Sequence, residues 1–319
     1  MSRKILCRCS LLIALCIVAL SCQGKEAGTP SGKLVVVTTL FPLYDFAKNV
    51  AGSRADISLL LPPGMEPHGF EPRPADIMKL NSADLFIYTS PEMEPWAVNL
   101  LKGLQNRKME AVNASLGIVP DRMKSGKEPG HEHRGHPGHD RETVVDPHLW
   151  LDFTNAMRMV DNIRDGLIRR DPAGREIYEK NAAAYNEKLK DLDSRYRTAL
   201  QPCRVRSIIS GGHFAFHYLA RRYGLEYDSV YGFSPDAEPT PGGIARVART
   251  LKQKGSRYLF YEELLDPRVA RTIASETGAS LIRLHGAHNL TREEFDRGET
   301  FIGIMNGNLE NLKTGLECR

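Results

Sequence analysis

The stretch Pro172–Leu200, PAGREIYEKNAAAYNEKLKDLDSRYRTAL, decides the architecture. After Gly174 it holds neither glycine nor proline, and Tyr178, Ala182, Tyr185, Leu189, Leu192, Tyr196 and Leu200 recur at spacings of three or four. That period predicts an α-helix with one apolar face. A helix of about 28 residues, at about 1.5 Å rise each, spans about 40 Å, enough to run the length of two small lobes. The stripe is too short and too aromatic for a coiled-coil arm, so the helix is expected to be a stiff spine that resists large hinge motion.

On both sides of this spine, strand-like runs alternate with helical ones. Before it, Leu34 to Thr38, Asp56 to Leu61, Leu85 to Thr89 and Met109 to Asn113 are short and rich in β-branched or aromatic residues. Helical patterns such as Pro74 to Leu80 and Glu94 to Leu104 fall between them. After it, Arg206 to Ser210, Leu225 to Tyr231, Tyr258 to Tyr261 and Ser280 to Leu284 read as strands, with helices at Ala215 to Tyr223, Gly242 to Lys254 and Arg268 to Thr277. Thr240 and Pro241 give the middle helix a cap followed by proline. A final helix, Thr300 to Leu316, ends the chain. Strands alternating with helices imply mostly parallel sheets. The expected fold is α/β, two lobes each with a mostly parallel sheet flanked by helices, joined by one long backbone helix. The expected segments are 33–153 for the first lobe, 154–202 for a helical region containing the spine, and 203–319 for the second lobe.

Residues 1–21 read as an export signal. Arg3 and Lys4 precede an apolar core, Leu11 to Leu20, too short to span a bilayer. Ala19-Leu20-Ser21-Cys22 follows and resembles a lipobox, in which Cys22 would be lipidated; cleavage nearby without lipidation is the other reading. Either way the mature chain works outside the cytoplasm, in a periplasm or on the outer face of the cell membrane. The formal net charge is +4, and Arg3, Lys4 and Arg8 leave with the signal. A nearly neutral mature chain gives no electrostatic reason to expect nucleic acid. Of the six cysteines, Cys203 and Cys318 are left once the signal and Cys22 are set aside. In an oxidising compartment such a pair is expected to be bridged.

The histidines are distributed in two ways. His131, His133, His136 and His139 crowd one Gly/Pro-broken stretch within 124–140, whereas His68, His148, His213 and His285 stand alone beyond apolar runs. Loops at the carboxyl ends of parallel strands are where α/β sheets bind ligands. Neutral imidazole is the commonest protein ligand for borderline divalent ions, so the pattern raises zinc first. Taken singly, each of these histidines is more often structural than functional.

Four ordered motifs then carry a resemblance over essentially the whole mature chain. They are Pro63 to Asp76 (a histidine, Phe-Glu-Pro, then Pro-x-Asp), Asp146-Pro-His-Leu-Trp-Leu-Asp152, the run from Gly212 to Leu225, and Glu238-Pro-Thr-Pro241. Together these resemble the ZnuA/TroA-like metal-binding solute-binding proteins (cluster A-I) of bacterial ABC importers. The resemblance implies two lobes on a backbone helix with one metal in the cleft, and His68, His148 and His213 as ligands. The fourth place, usually an aspartate in Leu-Asp-Pro-Leu, reads Leu284-His285-Gly286-Ala287 here. His285 is therefore expected as the fourth ligand, with Glu66, Asp146 or Glu262 supporting the site; the alternative is water completing a three-histidine site. His217 and His288 are expected to be structural, and Trp150 to pack beside the site. The histidine-rich loop matches that of zinc-specific relatives and is expected to be a low-affinity collector; an incidental polar insert is the other reading.

An all-nitrogen set suits Zn2+ as the transported ion, with Mn2+, which prefers oxygen donors, and other divalent metals as alternatives. The expected partners are an ABC permease, a divalent metal ion and, through a lipid anchor, the membrane; the chain is expected to be a monomer. Three histidines with an open position is also a catalytic-zinc layout, so a zinc-dependent hydrolase is one alternative. No His-Glu-x-x-His segment or nucleophile motif supports an enzyme. A metal-binding adhesin lipoprotein, engaged in cell adhesion, is the other alternative.

Overall fold

The computed structural model describes residues 32–124, 143–233 and 239–319. Cys22, His131, His133, His136, His139 and the signal segment lie outside the described residues. The β-branched run Leu34–Thr38 forms β1, flanked by β2 (Ala55–Leu59) and β3 (Leu85–Tyr88), with β4 (Glu110–Asn113) beyond. All pairs are parallel in the order β2-β1-β3-β4. Helices α1 (Phe41–Ala51), α2 (Pro74–Asn81) and α3 (Pro95–Gly103) connect them. A short antiparallel hairpin, β5 (Arg122–Lys124) with β6 (Thr143–Val145), precedes α4 (Phe153–Arg170) and the spine α5 (Arg175–Leu200).

The second lobe repeats the scheme. Strands β7 (Ser207–Ser210), β8 (Glu226–Ser229), β9 (Tyr258–Tyr261) and β10 (Ser280–Arg283) form a parallel sheet in the order β10-β9-β7-β8. Its helices are α6 (His217–Arg222), α7 (Pro241–Lys254), α8 (Arg268–Thr277), α9 (Arg292–Asp296) and α10 (Phe301–Gly315). Thr240 Oγ1 accepts from Gly243 N at 3.0 Å, satisfying an orphan donor where α7 begins. Gly255 and Gly278 end α7 and α8 with φ of 60° and 76°, values that cost glycine little.

The spine differs from its sequence reading at one end, where Pro172–Gly174 forms a separate 3-10 turn before the 26-residue helix. Its buried face consists of Tyr178, Ala182, Tyr185, Leu189, Leu192, Tyr196 and Leu200. Asn181 Nδ2 donates to Val50 O at 3.0 Å and Tyr185 Oη to Asp45 Oδ2 at 2.6 Å, both at α1. Further along, Tyr196 Oη donates to Met305 O at 2.5 Å in α10. One helix is thus tied to both lobes, and a single hydrophobic core runs along it from Val36 to Leu316. A satellite core, including Ile209, Val247, Leu251 and Ile273, lies under α7 and α8.

Cys203 and Cys318 are joined in a disulfide that closes a 115-residue separation. It staples the end of the spine to the chain's last residues, where Val205 N also donates to Leu316 O at 3.0 Å. Restricting so long a loop in the unfolded chain contributes about 2–4 kcal/mol. Cys203→Ser is expected to lower unfolding free energy by that amount in a denaturant titration, with a native far-UV spectrum retained.

Candidate metal centre

Four loops deliver four imidazoles to one point. His68 follows β2 in a proline-framed turn, where Glu66 Oε2 accepts from His68 N at 2.8 Å. His148 follows β6 and opens the 3-10 turn Leu149–Leu151. His213 comes three residues after β7, and His288 lies in the segment after β10. Each ring offers one nitrogen, and these nitrogens all lie within 4.8 Å of one another. His148 Nε2 is 3.3 Å from His68 Nε2 and 3.2 Å from His213 Nε2. For a tetrahedral ion with metal–nitrogen bonds of about 2.0–2.1 Å, geometry requires nitrogen–nitrogen edges of roughly 3.3–3.4 Å.

Buried carboxylates hold the outer face of two of these rings. Asp146 Oδ1 accepts from both His148 N (3.0 Å) and His148 Nδ1 (2.8 Å). Glu262 Oε1 accepts from His213 N at 2.7 Å, and its Oε2 stands 2.6 Å from His213 Nδ1, a close contact outside hydrogen-bond geometry. With the carboxylates ionised, each Nδ1 carries the proton and each Nε2 turns a lone pair to the centre. Two lone pairs facing one another at such a spacing repel, and a shared cation relieves the repulsion. Burial pushes Glu262 up to about 8 and Asp146 well above the usual carboxylate range. A cation beyond the imidazoles supplies the charge that ionises both.

The histidines themselves are kept neutral. Burial, first among the causes, holds His148 and His288 well below the ordinary imidazole value and brings His213 down to about 4. Neutral imidazole is the form that binds metal, so near pH 7 these three need shed no proton to do so. His288 Nε2 is buried and has no hydrogen-bond partner among the described residues. His68, with 11% of its side chain exposed against 0% for His148 and 2% for His213, marks the side of approach. Trp150 is buried, packs edge-on against the His148 and His288 rings, and donates from Nε1 to Gly286 O at 2.9 Å. Gly212 is required by this crowding, because a Cβ there would stand 1.9 Å from Glu262 Oε1.

His285 does not join the cluster, which corrects the expectation for the fourth ligand. Its Nδ1 accepts from Ala287 N at 2.9 Å and lies 3.0 Å from Glu263 Oε1, and its Nε2 lies 3.3 Å from Glu294 Oε2, so both ring nitrogens are occupied. His285 in turn holds the Glu294 carboxyl down at about 2, its hydrogen bond being the largest cause. His288, expected to be structural, takes the fourth place. The sequence carries no sign of Glu263 and Glu294 closing on His285, and that embrace is what leaves the next histidine to reach the centre. His217 sits apart, its Nε2 3.2 Å from Asp121 Oδ2 and its ring stacked on Phe214.

Residues 36–315 match the family described as ZnuA, zinc-uptake complex component A, periplasmic. The chain belongs to this family. It is 38% identical over 312 residues to the high-affinity zinc uptake system protein ZnuA of Bacillus subtilis (strain 168), covering 98% of this chain and 96% of that one. It is 36% identical over 319 residues to the zinc-binding protein AdcA of Streptococcus pyogenes serotype M3, covering 98% of this chain but 61% of AdcA. Among solved structures, the Zn(II)-bound ZnuA-like domain of Streptococcus pneumoniae AdcA aligns with a TM-score of 0.74 at 35% identity, over 90% of this chain and 100% of that one. The laminin-binding protein Lmb of Streptococcus agalactiae, titled a bifunctional protein with adhesin and metal-transporting activity, aligns with a TM-score of 0.78 at 28% identity, over 89% and 100%. The two lobes, their parallel sheets and the spine of this ZnuA-family chain are thus the family fold.

Proposed function

We propose that this chain is the extracytoplasmic solute-binding component of a zinc importer. It captures Zn2+ as cargo between the lobes with His68, His148, His213 and His288 and passes it to an ABC permease. The observation that carries this reading is the convergence of four imidazole nitrogens within 4.8 Å at the edge of two parallel sheets. Four neutral nitrogens leave the ion's double charge uncompensated; ionised Asp146, hydrogen-bonded to the far side of the His148 ring, and Glu262, 2.6 Å from His213 Nδ1, balance it without occupying a coordination position. The rings bind and the carboxylates orient, so no open position is kept for an activated water, which favours carrier over hydrolase. No helix among the described residues is long and apolar enough to cross a membrane. A lipid at Cys22, with the chain otherwise outside the membrane as a monomer, completes this reading, and the loop at His131, His133, His136 and His139 serves it as a collector.

Metal analysis of the purified chain after exhaustive dialysis tests the assignment. One tightly held zinc per chain, retained against a manganese excess and when residues 124–140 are deleted, is the expected result. A manganese preference, or zinc lost with the loop, would sink it. Adhesion as an additional activity is favoured by the Lmb alignment. Binding of the zinc-loaded chain to immobilised laminin checks it, and no binding above an albumin control would dismiss it.

A further inference from the structure

The segment that carries His288 follows the last strand of the second sheet, yet its hydrogen bonds run to the first lobe. As far as His285 the chain is fastened to second-lobe groups. Leu284 N donates to Tyr261 O at 2.9 Å, and Asn308 brackets His285 by accepting from its N and donating to its O, both at 2.8 Å. Three residues later the partners change. Phe41 N donates to His288 O at 3.1 Å and Gly64 N to Leu290 O at 2.7 Å. Asn289 Nδ2 donates to Pro62 O at 2.7 Å and to Met65 O at 2.9 Å, on the turn that leads to His68. Trp150 adds its bond to Gly286 O from the first lobe's side. The change of sides passes through Ala287, whose φ of 56° is left-handed for a residue other than glycine. His213 shows the opposite allegiance: Gly211 N donates to Phe260 O, His213 N to Glu262 and Phe214 N to Gly232 O, all within the second lobe.

We propose that Asn289 is a positioning residue that fastens the fourth imidazole to the first lobe, so that the ligands divide three to one. His68, His148 and His288 then form a preassembled half-site, and His213 alone arrives and leaves with the second sheet. The inference rests on the carrier reading above. Asn289 is fully buried, both its donors are spent on the His68 turn, and its Oδ1 accepts from Leu290 N at 2.9 Å. Removing the amide takes one donor from the Pro62 and Met65 carbonyls and leaves Gly64 N to Leu290 O as the remaining bond, among the described residues, between the His68 turn and the His288 segment, which loosens one against the other.

The test is chelator-driven release of zinc from the full chain, with Co2+ as a spectroscopic probe of coordination. Asn289→Ala and Asn289→Asp, the latter keeping the volume but losing both N–H donors, are compared with Asn308→Ala, which deletes a comparably buried asparagine on the second-lobe side. Both Asn289 variants are expected to release zinc about 10-fold faster, the scale of losing a group that orients a ligand, and to weaken the tetrahedral Co2+ bands. Asn308→Ala is expected to lower the melting temperature of the apo chain while releasing zinc at the wild-type rate with an unchanged Co2+ spectrum. Wild-type release from the Asn289 variants, or equal acceleration by Asn308→Ala, would overturn the inference alone. A wild-type chain that holds neither zinc nor Co2+ would overturn the carrier reading and the inference with it.

Discussion

His288→Ala is expected to cost zinc affinity roughly 10²–10³-fold, whereas His285→Ala is expected to leave it near wild type. The magnitude follows from apportioning a structural zinc site's binding free energy of about 10–16 kcal/mol over four ligands, or about 2.5–4 kcal/mol each. Stability should respond in the opposite sense. His288 Nε2 is buried without a partner, so its loss leaves the apo chain no donor or acceptor to miss. His285 Nδ1 accepts from the buried Ala287 N at 2.9 Å, and deleting the ring leaves that N–H without its acceptor while Glu263 keeps Gly286 N and Glu294 keeps Thr291 and Arg283. About 1–3 kcal/mol of apo stability should be lost there, as for a buried hydrogen-bonding group left unsatisfied. Competition against a chromogenic zinc chelator, together with thermal melts of the apo forms, reads both effects. Equal affinity losses in the two variants would show that coordination extends to His285 or that the segment collapses as a unit.

The contrast between these two histidines shows where sequence information stopped. The spine was legible because its seven buried residues repeat with a helical period that nothing interrupts. The strands were legible because short β-branched runs alternate with helical patterns, and three histidines of the cluster, His68, His148 and His213, sit in the motifs that carry the resemblance. The fourth lies in the segment Leu284-His285-Gly286-Ala287-His288, where two histidines stand three apart without a periodic element to orient either. Choosing between them required Glu263 and Glu294, one on a loop after β9 and the other in α9, to be seen closing on His285. The same holds for Asp146 and Glu262 as ring partners: one lies two residues from its histidine and the other forty-nine. Local spacing brings Asp146 to His148, but only the pairing of parallel strands brings Glu262 to His213. The hairpin of β5 and β6 was missed because three residues per strand are too few to show alternation.

The carboxylates behind the rings should be unequal, and the inequality follows from how many oxygens each one uses. Glu262 accepts from His213 N with Oε1 and sets Oε2 2.6 Å from His213 Nδ1, a close contact outside hydrogen-bond geometry. In Glu262→Gln one of those positions becomes an NH2 group. Set against His213 N it opposes donor to donor; set against Nδ1 it donates, which moves the ring proton to Nε2 and blocks the lone pair that faces the ion. Asp146 serves both His148 N and Nδ1 from Oδ1, while Oδ2 has no hydrogen-bond partner among the described residues. Asp146→Asn can therefore keep its oxygen where it is needed and lose only the charge. We expect Glu262→Gln to weaken zinc binding about 100-fold and Asp146→Asn about 10-fold, the two ends of the range for groups that orient a metal ligand. The two groups act on different rings, so the double variant should lose about 10³-fold if the effects add in free energy. Apo stability should hold or rise, because both substitutions remove a carboxyl whose burial disfavours its charged form. Affinities from chelator competition at one fixed pH, set beside apo melting temperatures, decide the matter. Equal small losses, or a fall in apo stability without a change in zinc affinity, would mean that these acids brace the fold and do not tune the site.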